Sequence, residues 1–463
     1  MKYAGMMEVA DVLDSKSSLG NRVQVRPPPN TGSAMLLFFI LKQGAFHWRM
    51  ALRDKTMREE MKTKILFSFD CEDYTSDRST DMLVRLGNTL ANNGVVGHFQ
   101  MVALLAADIE RKNRQDVIQA LEPHQIGYHS YDHSIHPNLM EKTDVEDFKL
   151  ATERFLEKEP VGAEIVKHVF GRDSLCSACP PGNSISYAAL YGYAKIGIPV
   201  YIGGIFDEQE GPFRFCNAIQ VPYTYMLEDY LFAWDFTPDA FLDMLAGEKL
   251  ITLYNHPNMI CHTEFWDTVN YAKGNLSPFG QWMPCPERSQ ENVDLFFRNL
   301  NLLINALRAD DDFEITDLDH LLAGMDGPPV IRRDEAGRIC DMLRSKPPYR
   351  NSQSELLLAA AAFLRDTGRT EYCAEEVYGF LEEPIRAKTE MAFTKEELTV
   401  AADQIREGEF LPSHIRVSDR EIGPRDYLCA AGQRHAKKEL EKECQYCNNG
   451  RLALVAVKCR FNK

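Results

Sequence analysis

From residue 65 onward, short apolar runs alternate with longer stretches whose apolar positions recur three and four residues apart. The first kind of run is the pattern of a buried strand and the second that of an amphipathic helix. Read this way, 65–69 is a strand, 81–92 a helix and 95–101 a second strand. Helical runs over 116–121 and 144–157 follow, with a short strand at 125–128 between them. Further on, 198–202 and 250–254 read as buried strands and 293–306 as a long helix. Strands alternating with helices over so long a stretch predict a parallel sheet, open or closed into a barrel.

The flanks follow other patterns. Residues 1–60 hold a breaker cluster, Arg26, Pro27, Pro28, Pro29 and Asn30, and a basic segment begins at Arg49. They read as a poorly ordered extension, with an ordinary chain start available at Met61. Past Gly324 come Gly327, Pro328 and Pro329, a charged patch, and helices over 354–365 and 395–408. The expected organisation is therefore an extension (1–60), an α/β domain (61–325) and a small, mainly α-helical C-terminal domain (326–463).

Composition narrows the function classes. A chain of 463 residues with 44% apolar residues can bury one large domain and smaller appendages. The formal charge of −16 argues against nucleic acid as a partner, because phosphate binding needs clustered Lys and Arg. The twelve cysteines lack the density of a disulfide scaffold and suit a reducing compartment. No secretory signal opens the sequence, and the apolar run over 34–41 is far too short to span a bilayer. A cytoplasmic location is the expectation, with no transmembrane segment and homo-oligomerisation left open.

Three segments carry chemistry. In Ile126, Gly127, Tyr128, His129, Ser130, Tyr131, Asp132, His133, two histidines stand four apart. On one helical turn that spacing would aim both imidazoles at a single ion. In Phe67, Ser68, Phe69, Asp70, Cys71, Glu72, Asp73, Tyr74, an apolar strand ends abruptly in acid, and crowded carboxylates there repel unless a cation offsets them. A third run, Leu250 to Pro257, delivers His256 at the end of a buried strand. Two cysteine pairs, Cys176 with Cys179 and Cys444 with Cys447, have metal-ligand spacing, but with no supporting pattern between them coincidence is the better account.

These segments, in this order, resemble the NodB-like polysaccharide deacetylases of carbohydrate esterase family four, in the branch with an Asp-x-Glu-Asp-Tyr acidic motif. The resemblance covers residues 62–324 and implies a distorted (β/α)7-type barrel. It also implies a metal-dependent hydrolase of non-peptide C–N bonds, with zinc as the expected divalent ion. Asp70 takes the place of the general base and His256 that of the acid. His129 and His133 bind metal together with Glu72, Asp73 being the reserve carboxylate. The proline-rich motif departs from the family, since its leading Arg is replaced by Ala178 or Cys179 depending on register. In the Cys179 register Gly182 retains a backbone N–H for the oxyanion, whereas the Ala178 register puts Pro181 there, which has none. Arg172 is the nearby substitute for the missing cation. The expected substrate is an acetylated amino sugar or glycan. The alternatives are a small cyclic amide or imide, as in allantoinase-type relatives, and a barrel that has lost activity and kept binding.

Overall fold

The computed structural model describes residues 62–183, 186–203, 211–215, 217–272, 276–323, 325, 330–336, 351–380, 384–385, 391–436 and 444–445. The extension expected at 1–60 lies outside the described residues. In chain order the strands used below are β1 (Thr63–Cys71), β2 (His98–Met101), β3 (Gln125–Tyr128), β4 (Val200–Ile202), β5 (Phe213–Phe215), β6 (Ala218–Val221), β7 (Tyr225–Met226), β8 (Leu250–Asn255), β9 (Phe313–Ile315), β10 (Val330–Arg332) and β11 (Glu371–Cys373). The helices are α1 (Asp77–Asn92), α2 (Tyr187–Lys195), α3 (Gln290–Ala309), α4 (Gln353–Arg365) and α5 (Lys395–Ala401).

The chain divides into two compact units. The first comprises the described residues up to His136, with Pro181–Ser184 and Thr224–Asp317. It holds a six-stranded sheet in the order β3-β2-β1-β8-β7, with β9 also paired to β1, and every pairing is parallel. This is the α/β architecture that strand–helix alternation predicts. β1 is central, and eight of its nine residues are buried. That is why it reads as a nearly continuous apolar run and not as an alternating one. The rings of Phe69 and Phe99, level with each other across β1 and β2, stack at 4.9 Å.

Helices cover the sheet with faces the sequence dictates. α1 starts at Ser76, whose hydroxyl accepts from the Ser79 N–H, and it buries Leu83, Leu86 and Leu90. Gly87 lies on the same face because any Cβ there would stand 2.5 Å from the Ala120 carbonyl oxygen. α3 is capped by Ser289 and buries Val293, Phe296, Leu300, Leu303 and Leu307 at helical spacing. Both begin a few residues before the predicted bounds, since a capping turn carries no apolar periodicity.

The second unit comprises Pro137–Pro180, Ile185–Tyr223 and the chain from Leu318. In it β6 pairs in parallel with β4 and antiparallel with β5. A separate apolar core gathers around α4, where every residue from Glu355 to Leu364 is buried. A helix apolar on all sides needs neighbours on all sides, and α5 contributes Leu398 and Ala401 to this core. The helix expected at 395–408 stops at Ala401, and the chain tightens into a 3-10 turn over Ala402–Gln404. Among the described residues no helix is long and apolar enough to cross a membrane.

Candidate active site

Parallel pairing brings the C-terminal ends of the strands to one edge of the first unit's sheet. Cys71 is level with Met101, and Met101 with Tyr128, so the residues just after β3 stand beside the end of β1. Phe69 is level with Asn255, which brings Asp70 level with His256. Four of the predicted site residues, Asp70, Glu72, His129 and His256, are thus gathered by register, and His133 follows on the loop after β3. This is the edge where such folds perform chemistry.

The histidine pair does not sit on a helical turn, contrary to the reading of its spacing. His129 to His133 form a loop after β3, with Ser130 at φ 69° and His133 at φ 55°. These left-handed residues curl the chain back on itself. The curl is held by the His129 N–H donating to the Met101 carbonyl at 3.0 Å and the His133 N–H donating to the Ser130 hydroxyl at 3.1 Å. The result still brings the two imidazole centroids to 5.0 Å. Glu72, His129 and His133 are all buried, and one ligand atom from each lies within 4.8 Å of the others.

Hydrogen bonding defines how His133 is used. Its Nδ1 lies 2.6 Å from the Ser134 hydroxyl, which itself donates to Asp267 at 3.0 Å. Ser134 has one proton, already given to a carboxylate, so Nδ1–H of His133 must be the donor in the first contact. In the neutral ring Nε2 then presents a lone pair, and it faces Glu72 Oε2 at 2.9 Å. A lone pair meeting a carboxylate is repulsive unless a proton or a metal ion stands between them. Burial pushes the Glu72 carboxyl upward while His133 pulls it down, and among the described residues nothing donates a hydrogen bond to its Oε1. A carboxylate with two imidazoles, one anchored through its far nitrogen, is a donor set that fits zinc or a similar divalent ion.

Asp73, the reserve carboxylate, has other partners. Its Oδ1 accepts from the Thr75 N–H at 2.8 Å and hydroxyl at 2.6 Å, and its Oδ2 accepts from the Ser79 hydroxyl at 2.5 Å. These contacts brace the entry to α1. Gly182 belongs to the first unit, exposed in a short 3-10 turn at φ 57°, ψ 34°, a backbone that glycine adopts without strain. Arg172 and Cys179 fall in the second unit.

A second cluster adjoins the first. His256 Nε2 lies 3.7 Å from Asp70 Oδ2, and its Nδ1 lies 2.7 Å from Glu228 Oε1. The same Glu228 oxygen accepts from the His256 N–H at 3.0 Å, and its other oxygen accepts from the Asn255 amide at 2.8 Å. Burial disfavours the charged imidazole, but Glu228, followed by Glu72 and Asp70, outweighs it and pushes His256 up to about 10. Glu228 is the residue that sequence reasoning missed. The signal was an acid two residues past a strand end, but β7 has only two residues and no apolar run to announce it.

Aromatic rings extend outward from the histidines. Trp266, fully buried, has its centroid 5.9 Å from that of His133 and 6.2 Å from that of Trp282. Trp282 in turn lies 5.5 Å from Phe279, which is 69% exposed. Phe265 meets His256 edge to face at 4.8 Å.

No family model matches the chain, and no curated protein matches it. Among solved structures it is similar to a protein described as a candidate polysaccharide deacetylase from Mycobacterium smegmatis, at 15% identity over 65% of this chain and 97% of that one, with a TM-score of 0.39. It is also similar to a family 4 carbohydrate esterase from Bacillus anthracis, at 16% identity over 57% of this chain and 84% of that one, with a TM-score of 0.31. A third is a family 4 pseudoenzyme from the same organism, at 10% identity over 57% of this chain and 66% of that one, with a TM-score of 0.33.

Proposed function

We propose that the chain is a metal-dependent hydrolase of non-peptide C–N bonds that removes the acetyl group from an N-acetylated amino sugar or glycan. The observation that carries the reading is the pairing of two clusters at one sheet edge, the buried Glu72 with His129 and His133, and Asp70 with the partly buried His256 and Glu228. A divalent ion held by Glu72, His129 and His133 would supply Lewis acidity toward the amide carbonyl and toward water.

The chain's own residues divide the proton transfers. Asp70 is acceptor-only when ionised and takes the proton of the attacking water. His256, kept protonated by Glu228 at neutral pH, cannot serve as that base and gives its Nε2 proton to the departing amine. Glu228 fixes the ring by accepting from Nδ1, so that Nε2 stays on the side of Asp70. Gly182 offers its backbone N–H to the oxyanion. Trp282 and the exposed Phe279 offer flat apolar faces of the kind on which sugars stack.

The absence of the motif arginine favours a second reading, a barrel that binds its ligand and no longer turns it over. One experiment separates the two. Purified protein is assayed for bound metal and for acetate released from N-acetylglucosamine oligomers, beside Asp70→Asn. Metal with Asp70-dependent acetate release supports the enzyme, whereas metal with no turnover in either protein sinks it.

A further inference from the structure

The second unit carries a half-open pocket of about 970 Å³ that the proposed reaction does not use. Its apolar lining includes Val200 of β4, Ile219 of β6, and Leu318 and Leu322. Two buried charged side chains also line it, Arg214 of β5 and Glu355 in the first turn of α4. Arg214 donates through one Nη to the Met325 carbonyl at 2.5 Å, and Glu355 accepts from the Ser352 N–H at 2.6 Å. Apolar walls around a few convergent polar groups, at a volume of several hundred Å³, are the usual composition of a small-molecule site.

The charges at the lining point to the ligand's chemistry. A guanidinium presents five donors in a planar fork that matches a carboxylate. Lys195 is paired with Glu376 at 3.4 Å, while Asp319 and Glu375 are exposed to water, which screens them. We infer that this cavity binds a small organic carboxylate with an apolar body, its carboxylate on Arg214 and Glu355 and its body against Val200, Ile219 and Leu322.

Glu355 gives the binding a signature. Burial pushes its carboxyl up to about 7, against the pull of its Ser352 hydrogen bond and of the Arg214 charge. The thiol of Cys373 on β11, itself held above its ordinary value by burial, also faces it. Near neutral pH Glu355 is therefore divided between a form that donates to a carboxylate and a form that repels one. An arriving anion favours the protonated form, so binding at pH 7 draws in a proton.

The test is calorimetry on the full-length chain with octanoate and, separately, octylamine, at pH 7 in two buffers of different ionisation enthalpy. Octanoate is expected to bind at least about tenfold more tightly than octylamine. The buffer dependence should report uptake of about half a proton. Ala194→Trp, which fills the cavity from α2, should remove binding, and Arg214→Gln should weaken it by about tenfold or more. Glu355→Gln should keep binding while losing the proton uptake. Absence of saturable octanoate binding by the unaltered chain, octylamine binding as tightly, or unchanged octanoate binding by Ala194→Trp would each overturn the assignment.

Discussion

β1 and α4 are both buried along nearly their whole length, yet they solve different problems. α4 is a run of leucines and alanines with one carboxyl, Glu355, in its first turn. There the acid completes a capping box, its carboxylate accepting from the Ser352 N–H. β1 begins in the same apolar manner but buries Asp70 and leads directly into Glu72 and Asp73, also buried. Only Asp73 is satisfied by a helix entry. Asp70 and Glu72 face imidazoles instead, at 3.7 Å and 2.9 Å. Burying a carboxylate costs several kcal/mol unless it is paired. A capping acid offsets part of that cost with a backbone donor, and the acids of β1 offset it with titratable, metal-competent side chains, an arrangement of no use to packing alone.

Breaking the β1 cluster should have the largest effect. His129→Ala and His133→Ala are expected to lose the metal and acetate release together while the far-ultraviolet circular dichroism stays native. Retention of stoichiometric metal by both variants would remove the pair from the ligand set. Next, Asp70→Asn should keep the metal and lower kcat by about 10² to 10⁴, the range of a lost general base.

The Glu228 contact sharpens the comparison through pH. A raised imidazole pKa keeps the acid form present up to its folded value, so activity should fall on the alkaline side as pH rises through about 10. Glu228→Gln removes the main force that raises it, and the alkaline limb of kcat/KM should move toward neutral pH. An unmoved limb would mean that His256 is not the acid.

The α4 acid offers the smallest effect, one on stability. Glu355 is raised from 4.5 to about 7, so its folded form holds a proton that the unfolded chain has lost. Its contribution is therefore present below about pH 4.5 and declines as pH rises toward 7, by about 3 kcal/mol in all. Denaturant unfolding between pH 5 and 8 should show this decline, and Glu355→Gln should flatten it.

What was legible in the sequence follows the same division. Strand ends that lead into the candidate site could be read, because an apolar run that stops in Asp70 or His256 breaks its own pattern. The spacing of His129 and His133 drew attention to two rings that the fold does bring together, but it gave the wrong geometry, since left-handed backbone at Ser130 and His133 leaves no periodic trace. Ser134 with Asp267, and His256 with Glu228, could not be read, because each joins distant segments through register and loop path alone. Between Glu72 and Asp73 the choice turned on which neighbours each met, and Thr75 and Ser79 occupy Asp73.

The central claim is that Glu72, His129 and His133 form one metal site. Metal content measured by mass spectrometry on the dialysed full-length chain and on Glu72→Gln tests it most directly. The account expects about one zinc per chain in the first and a loss of at least about tenfold in affinity in the second. Equal metal content and affinity in the two proteins would contradict it.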